Sequence, residues 1–238
     1  MGESTSTRCA RLLLRDLASV QPPADVTSAP TVDERAIFRK IDQQAHWCVG
    51  PVTDFVFHTV MCLWDGCFAA SATEVKALFH IKRPDARTLW MLGSCYYLGA
   101  HVRPDRRKAL LLFERAARMR HAMSMCNVAT MRDRGIATPD TAANPSTAPS
   151  GSVNGLYSTV AQMGVEPAAG VALNNMALSN LRAHKEVGVV ENLQAALLHD
   201  LPAARNNLAV LVLRGEVPAL SEKDAVGLLL QAHRDGGP

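Results

Sequence analysis

An internal repeat between residues 92 and 234 constrains the fold more than any other feature of the chain. Two segments share their landmarks at a constant offset of 116 residues, and no gap is needed to align them. The matched positions are Gly99 with Gly215, Ala109 with Ala225, Ala116 with Ala232, and Arg118 with Arg234. Such repetition predicts a stack of similar supersecondary units that bury a continuous core between them.

A short word marks further units along the chain. It appears as Asn127-Val128-Ala129, Asn175-Met176-Ala177 and Asn207-Leu208-Ala209, with Met91-Leu92-Gly93 as the first copy, at spacings of 36, 48 and 32 residues. We interpret its small third residue as the point where two paired helices approach closely. The small residues assigned to this role are Gly93, Ala129, Ala177 and Ala209 on the first helices, and Ala109, Ala116, Ala225 and Ala232 on the second helices.

Glycine and proline set the expected ends of these helices. Gly99, Gly135 and Gly215 follow the first helices, where a left-handed residue ends a helix without a Cβ clash. Pro104 and Asp105 suit the start of the next helix. One unit is therefore predicted to be a helix, a turn and an antiparallel helix.

The remaining pattern favours helices throughout. Helical periodicity recurs in segments bounded by Gly or Pro, and no alternating β-branched run interrupts it. No stretch reaches the roughly 18 consecutive apolar residues that a membrane span needs. We expect an all-α protein without a membrane span.

The residues of the first unit resemble the Sel-like repeat, a relative of the tetratricopeptide repeat. The resemblance depends on Leu92-Gly93, Tyr96, Gly99, Val102, Asp105, Lys108-Ala109 and Ala116-Ala117, and a second, degenerate copy includes Leu208-Ala209, Gly215, Val217, Ala225 and Ala232. It implies an α-solenoid of about five antiparallel helix pairs. Because members of the family typically assemble protein complexes, it also implies a non-catalytic scaffold.

Four regions follow from these patterns. Residues 1–32 are expected to form an N-terminal tail with a Pro-rich linker, and residues 33–54 a capping helix. Residues 55–236 are expected to form the solenoid, with a low-complexity insertion at 138–155. The first helix pair is predicted from Phe55 to His80, with Phe55 to Asp65 as its first helix.

The N-terminal segment leaves the location open. Arg8, Arg11 and Arg15 lie near one helical face of a Ser- and Leu-rich segment, as in a mitochondrial targeting helix, whereas Glu3 and Asp16 oppose that interpretation. A cytoplasmic protein with a plain tail is the alternative. A lipid anchor is a third, because the start at Gly2 also fits the loose myristoylation pattern.

Residues for catalysis or cofactor binding are sparse. The sequence contains no nucleophile elbow, phosphate-binding loop, H-E-x-x-H or paired C-x-x-C motif. His58 and Cys62, with Cys67 beyond them, have the spacing of metal ligands on a helix, but residues of these types are more often packed at a helix contact. We expect no enzyme activity, metal or cofactor.

Basic residues are concentrated in the middle of the chain. Nine basic and three acidic residues lie between His101 and Gly135, a local charge of +6 in a chain whose formal charge is +3. This pattern is typical of a solvated helix face, of a site for an acidic protein segment, or of an RNA-binding surface. The candidate partner-binding residues are Arg103, Arg106, Arg107, Arg115, Arg118, Arg120, Arg132 and Arg134.

These observations predict a scaffold or adaptor that binds other protein subunits of a larger assembly. It would act as a structural subunit or assembly factor, and in a mitochondrion the assembly would be a respiratory complex or a ribosome. The alternative is a helical-repeat RNA-binding protein that uses the basic stripe from Arg103 to Arg134.

Overall fold

The computed structural model describes residues 47–53, 57–136 and 152–235 of the 238-residue chain. Within these ranges two strands precede ten helices. The strands are β1 (Trp47–Thr53) and β2 (His58–Trp64). The helices are α1 (Gly66–Ala69), α2 (Ala72–Phe79), α3 (Ala86–Leu98), α4 (Arg106–Arg118), α5 (Ala122–Asp133), α6 (Val153–Met163), α7 (Ala168–Arg182), α8 (Val189–Leu197), α9 (Pro202–Leu213) and α10 (Glu222–Arg234).

Consecutive helices from α3 to α10 pack on one another as a solenoid. Helices α3, α5, α7 and α9 are the inner helices of the pairs and contact β2, while α4, α6, α8 and α10 are the outer helices. Small residues at the contacts allow the close approach: a Cβ atom on Gly93 of α3 would lie 2.6 Å from the Phe113 ring of α4. The prediction of a mostly helical solenoid is confirmed.

The start of the predicted first repeat is wrong. The segment predicted as a helix from Phe55 to Asp65 contains β2 instead. Its run of β-branched, apolar and aromatic residues is short, and periodicity alone cannot distinguish a buried strand from a buried helix over such a length. The tertiary setting decides, because β2 lies against the inner helices.

The end of the predicted capping helix is also wrong. Residues 47–53 form β1, which pairs antiparallel with β2 from Trp47 opposite Trp64 to Thr53 opposite His58. Pro51 lies within β1, and proline removes a backbone N–H and clashes with the preceding turn of a helix. The rest of the predicted capping helix, residues 33–46, lies outside the described residues.

The predicted insertion ends earlier than expected. Ser152 caps α6 by accepting a hydrogen bond from the Gly155 N–H at 3.0 Å, so residues 153–155 belong to a helix. The local reason is the capping serine, which satisfies a free amide of the first turn. The preceding residues of the insertion lie outside the described residues, as do the predicted tail and targeting segment at 1–32.

Within the described ranges, no helix is long and apolar enough to cross a membrane.

Candidate polypeptide-binding groove

The inner helices form a groove in which β2 lies. One asparagine from each of three inner helices binds both main-chain polar groups of a β2 residue. Asn127 of α5 accepts from the Cys62 N–H through Oδ1 at 2.7 Å and donates from Nδ2 to the Cys62 carbonyl at 2.7 Å. A carboxamide can do this because it has one acceptor and one donor in the same plane, as a peptide group has.

Two further asparagines repeat this geometry. Asn175 of α7 accepts from the Val60 N–H at 2.9 Å and donates to the Val60 carbonyl at 2.6 Å. Asn207 of α9 accepts from the His58 N–H at 2.7 Å and donates to the His58 carbonyl at 3.0 Å. We call Asn127, Asn175 and Asn207 the asparagine ladder.

The ladder takes the place of a neighbouring strand. The N–H and C=O groups of one strand residue point to the same edge of the strand, so residues 58, 60 and 62 share the edge that faces the ladder. The residues between them are left to pair with β1 at the opposite edge. β2 therefore has hydrogen-bond partners at both edges, and its side chains from Thr59 to Trp64 are buried.

At the Trp64 end of the groove, side chains of α3 form two further hydrogen bonds with the main chain of β2. Ser94 of α3 accepts from the Trp64 N–H at 3.0 Å, and the Trp90 indole donates to the Cys62 carbonyl at 2.7 Å. Because His58 lies at α9 and Trp64 at α3, β2 runs in the direction opposite to the order of the repeats.

Contacts around the ladder hold the carboxamides in one orientation. At the His58 end, Asn174 donates to the His58 carbonyl and to Oδ1 of Asn175, each at 3.0 Å, and accepts from Asn207 at 2.7 Å. These donors and acceptors define which end of the Asn175 and Asn207 carboxamides faces the strand N–H.

A hydroxyl cluster supports the centre of the ladder. The Thr130 Oγ1 accepts from Nδ2 of Asn175 and from the Tyr157 hydroxyl, both at 3.0 Å, and donates to the Cys126 carbonyl at 2.9 Å. Burial raises the pKa of Tyr157, so this hydroxyl stays protonated and donates. Asn175 and Asn207 are thus preorganised by buried side chains behind them.

The chemistry of the ladder suits an extended main chain. Asparagine is a weak helix former, and a buried carboxamide without partners is unfavourable. Ladder residues Asn127, Asn175 and Asn207 are all fully buried, and each finds its partners on β2. The groove therefore binds β2 through groups that every residue except proline carries.

Two cysteine pairs lie between the β2 region and the solenoid. The thiols of Cys62 and Cys126 are neighbours, as are those of Cys67 and Cys95, and all four thiols are free and buried. Burial raises the pKa of Cys67 and of Cys126. Such thiols are weak nucleophiles.

The spacing of His58 and Cys62 does not place them on a helix, because both belong to β2. Burial lowers the pKa of His58, so the neutral form of the imidazole is favoured. In the described ranges, no group of three or more His, Cys, Asp and Glu side chains could hold a metal ion.

The structure places the predicted repeat residues at helix contacts and helix ends. Gly99, Gly135 and Gly215 all have positive φ angles just after the inner helices. Tyr96 contacts the Phe79 ring edge-on at 5.6 Å between centroids, and Lys108 lies 5.3 Å over the Tyr96 ring. The others, all buried, are Leu92, Gly93, Ala109, Ala116, Ala129, Ala177, Ala209, Ala225 and Ala232.

The basic residues are not brought to the groove. Six of the eight are exposed on α4 or the loops that flank it, namely Arg103, Arg106, Arg107, Arg115, Arg118 and Arg120. Arg132 is partly buried and pairs with Glu114 at 3.0 Å, and Arg134 is also partly buried. The basic stripe is therefore split between an outer surface and interhelical contacts.

The functional role of the ladder is not evident from the repeat word alone. The word predicts a close helix contact through its third residue, whereas the structure shows that its first residue binds the strand. A usable signal was present: an asparagine recurs at one helix position in three repeats, although asparagine is disfavoured in helix interiors.

No family model matches the chain, and no curated protein matches it significantly.

Proposed function

We propose that this protein is a non-catalytic scaffold or adaptor, built as a divergent Sel-like repeat solenoid, that holds other protein subunits of a multi-subunit complex. One observation carries the proposal. Three inner helices each bind the main chain of an extended segment through a buried asparagine. Such contacts hold a polypeptide and do not transform a substrate.

The outer surface supports the same role. Arg107, Leu111, Arg115 and Met119 follow one another at intervals of four residues, so they lie along one face of α4 and its C-terminal cap. Leu111 is 57% exposed and Met119 is 52% exposed, so two large apolar side chains alternate with the two arginines along this face. We call these four residues the α4 stripe.

The α4 stripe fits an acidic, amphipathic segment of a protein partner. Carboxylates of such a segment would face Arg107 and Arg115, while its apolar side chains would cover Leu111 and Met119. Phosphates would use the arginines but leave the apolar side chains exposed. The alternation of charge and apolar surface therefore favours protein over RNA.

Charge reversal on the α4 stripe tests the proposal. The tagged full-length chain would be purified from cells that express it naturally, and co-purifying proteins would be quantified by mass spectrometry. Arg107→Glu with Arg115→Glu is expected to lose the specific partner. The control is Lys185→Glu with Lys223→Glu, which makes the same charge change at exposed positions elsewhere and should retain the partner.

Two outcomes would contradict the proposal. If the same proteins co-purify with all variants, the α4 stripe is not the docking surface. If nuclease treatment removes them, and bare RNA binds the pure protein with a steep salt dependence that the stripe variant loses, the chain is an RNA-binding protein instead.

We propose mitochondria as the site of this assembly, as a respiratory complex or ribosome, on the strength of the arginines at positions 8, 11 and 15. Subcellular fractionation of the untagged protein with N-terminal sequencing tests this. Recovery of the intact N-terminus in the cytoplasmic fraction would assign the protein to the cytoplasm.

A further inference from the structure

We propose that the groove is a receptor for an extended segment of a partner protein, which replaces β2 strand for strand. This inference rests on the proposed function and specifies how one partner is bound. In the structure a segment of the same chain, β2, occupies the groove. The ladder binds this segment through main-chain groups, which other extended segments also carry.

The first argument is what the ladder recognises. All six of its hydrogen bonds to β2 go to main-chain N–H and C=O groups of residues 58, 60 and 62. No side chain of β2 takes part in them. Any extended segment without proline at these three positions can form the same bonds.

The second argument is the spacing. The ladder residues come from repeats 48 and 32 residues apart in sequence, yet they meet every second residue of one strand. The stacking of the repeats therefore matches the two-residue period of an extended chain. This match belongs to the solenoid and not to β2, so it remains when the occupant changes.

The third argument defines the occupant. The side chains of Thr59 to Trp64 are buried, and Cys62 lies beside Cys126. A charged residue at these positions would lose its hydration without a partner. The partner segment is therefore an uncharged apolar strand with a β-branched residue at the position of Val60 and a small residue at that of Cys62. A subunit that is not yet assembled can expose such a strand.

The exchange must be direct, because an empty groove is unfavourable. Removal of β2 would leave both polar atoms of each ladder asparagine without their strand partners in a buried setting. An incoming strand restores these bonds as β2 leaves. Since β2 is tethered within the chain, it competes at high effective concentration, and binding is easiest to measure when β2 is weakened.

The test uses a fluorescent peptide with the sequence of residues 57–65, with serine in place of Cys62 and a pair of lysines added for solubility. Val60→Pro in the full-length protein removes the N–H that donates a hydrogen bond to Oδ1 of Asn175, and it loosens the intramolecular strand. The peptide should bind this variant at least about tenfold more tightly than the wild-type protein, measured by anisotropy. Asn127→Ala added to Val60→Pro should abolish this gain.

A cycle of changes identifies the bonds. N-methylation of the peptide at the Val60 position should weaken binding to Val60→Pro by about tenfold. When Asn175→Ala is added to Val60→Pro, the same methylation should not weaken peptide binding further. Methylation at the Met61 position, which faces away from the ladder, is the control, and its effect should be the same in both backgrounds.

Failure of the proline variant to fold does not remove the test. Val60→Gly keeps the N–H and loosens the strand by removing a buried side chain. The same peptide-binding measurements can be made on this variant. If neither variant folds, hydrogen exchange of the wild-type Val60 amide decides: exchange through a local opening supports the proposal, and exchange only through global unfolding overturns it.

Absence of peptide binding to a folded opened variant overturns the inference, as does a methylation effect at the Val60 position that Asn175→Ala leaves unchanged. These outcomes are separate from failure of the proposed function. Loss of a partner through the α4 stripe leaves peptide binding unaffected, and loss of peptide binding leaves capture through the α4 stripe unaffected.

Discussion

Asn127 binds Cys62 through both main-chain groups of that residue, at 2.7 Å in each direction, although the two residues are 65 positions apart in sequence. The contact joins the side chain of an inner helix to the backbone of a strand. Because it recurs at Val60 and His58, the interior of the solenoid is stabilised by polar groups as well as by apolar packing. The stability of the fold should therefore depend on single asparagines.

Asn207→Ala should destabilise the protein by about 2–4 kcal/mol, because it leaves the His58 N–H without its acceptor and Oδ1 of Asn174 without its donor, and it removes one of the two donors to the His58 carbonyl. Chemical denaturation of the pure variant measures the change in free energy of unfolding. Asn206→Ala is the matched control: the residue adjoins Asn207 on α9, but among the described residues its carboxamide forms no hydrogen bond with β2. Equal losses from both variants would refute the role of the ladder.

Gly93→Ala should destabilise the fold by about 1–3 kcal/mol, because the added Cβ would lie 2.6 Å from the buried Phe113 ring. Gly227→Ala is the control in the middle of α10, where a Cβ meets no atom within 4 Å, and it should stabilise the helix by about 0.5–1 kcal/mol. Thermal unfolding of both variants gives the comparison.

Phe113→Leu should partly relieve the Gly93→Ala defect. The smaller side chain leaves room for the added methyl group, so the double variant should be more stable than the sum of the single effects by at least about 1 kcal/mol. Strict additivity in this double-mutant cycle would show that the Gly93–Phe113 contact does not limit the helix approach.

Stability should fall as the pH decreases from about 6.5 to about 4 because of His121. Its Nδ1 caps α5 by accepting from the Ser124 N–H at 3.3 Å, and burial lowers its pKa from 6.5 to about 4. In this window the unfolded chain binds the proton and the folded chain does not, so acid favours unfolding, by at most about 3 kcal/mol.

His121→Asn isolates this contribution. Asparagine is a good helix N-cap that does not titrate, so the variant should keep most of the stability at neutral pH and lose less of it between pH 6.5 and 4. Denaturation curves at several pH values measure both effects. A slope equal to that of the wild-type protein would assign the acid sensitivity to other groups.

Cys62 and Cys126 should react with thiol reagents at least about a hundredfold more slowly in the native protein than after unfolding, because both are buried and burial raises the pKa of Cys126. Timed alkylation followed by peptide mass spectrometry resolves each cysteine. Asn127→Ala should accelerate modification at both positions, since it removes the bonds that hold β2 beside α5. Unchanged protection would mean that β2 is held without the ladder.

Most of the helical architecture is predictable from local pattern. The repeat word that ends in Gly93 or Ala129 specifies where two helices approach closely, and Gly99 and Gly215 specify where helices end. Both signals are local, because steric limits on small residues and positive φ angles act over a few positions. The helix N-caps at Asp85, Asp105 and Ser221 are of the same local kind.

The candidate site is less predictable, since its partners are far apart in sequence. The chain from Thr59 to Trp64 is a short apolar run that fits a strand or a helix equally well. The second edge that makes it a buried strand comes from the asparagines of α5, α7 and α9, together with side chains of α3. The basic residues show the converse, because the stripe predicted from Arg103 to Arg134 is divided by the way α4 and α5 pack.

By itself, the sequence determined the repeating helix pairs, the small residues at their contacts and the glycines at their turns, because each depends on sterics and hydrogen bonds within a few residues. Only the tertiary structure decided that β2 is a strand and that Asn127, Asn175 and Asn207 bind it. The physical reason is that main-chain groups of an isolated segment must find partners, and here those partners come from β1 and from four inner helices that stacking brings into line.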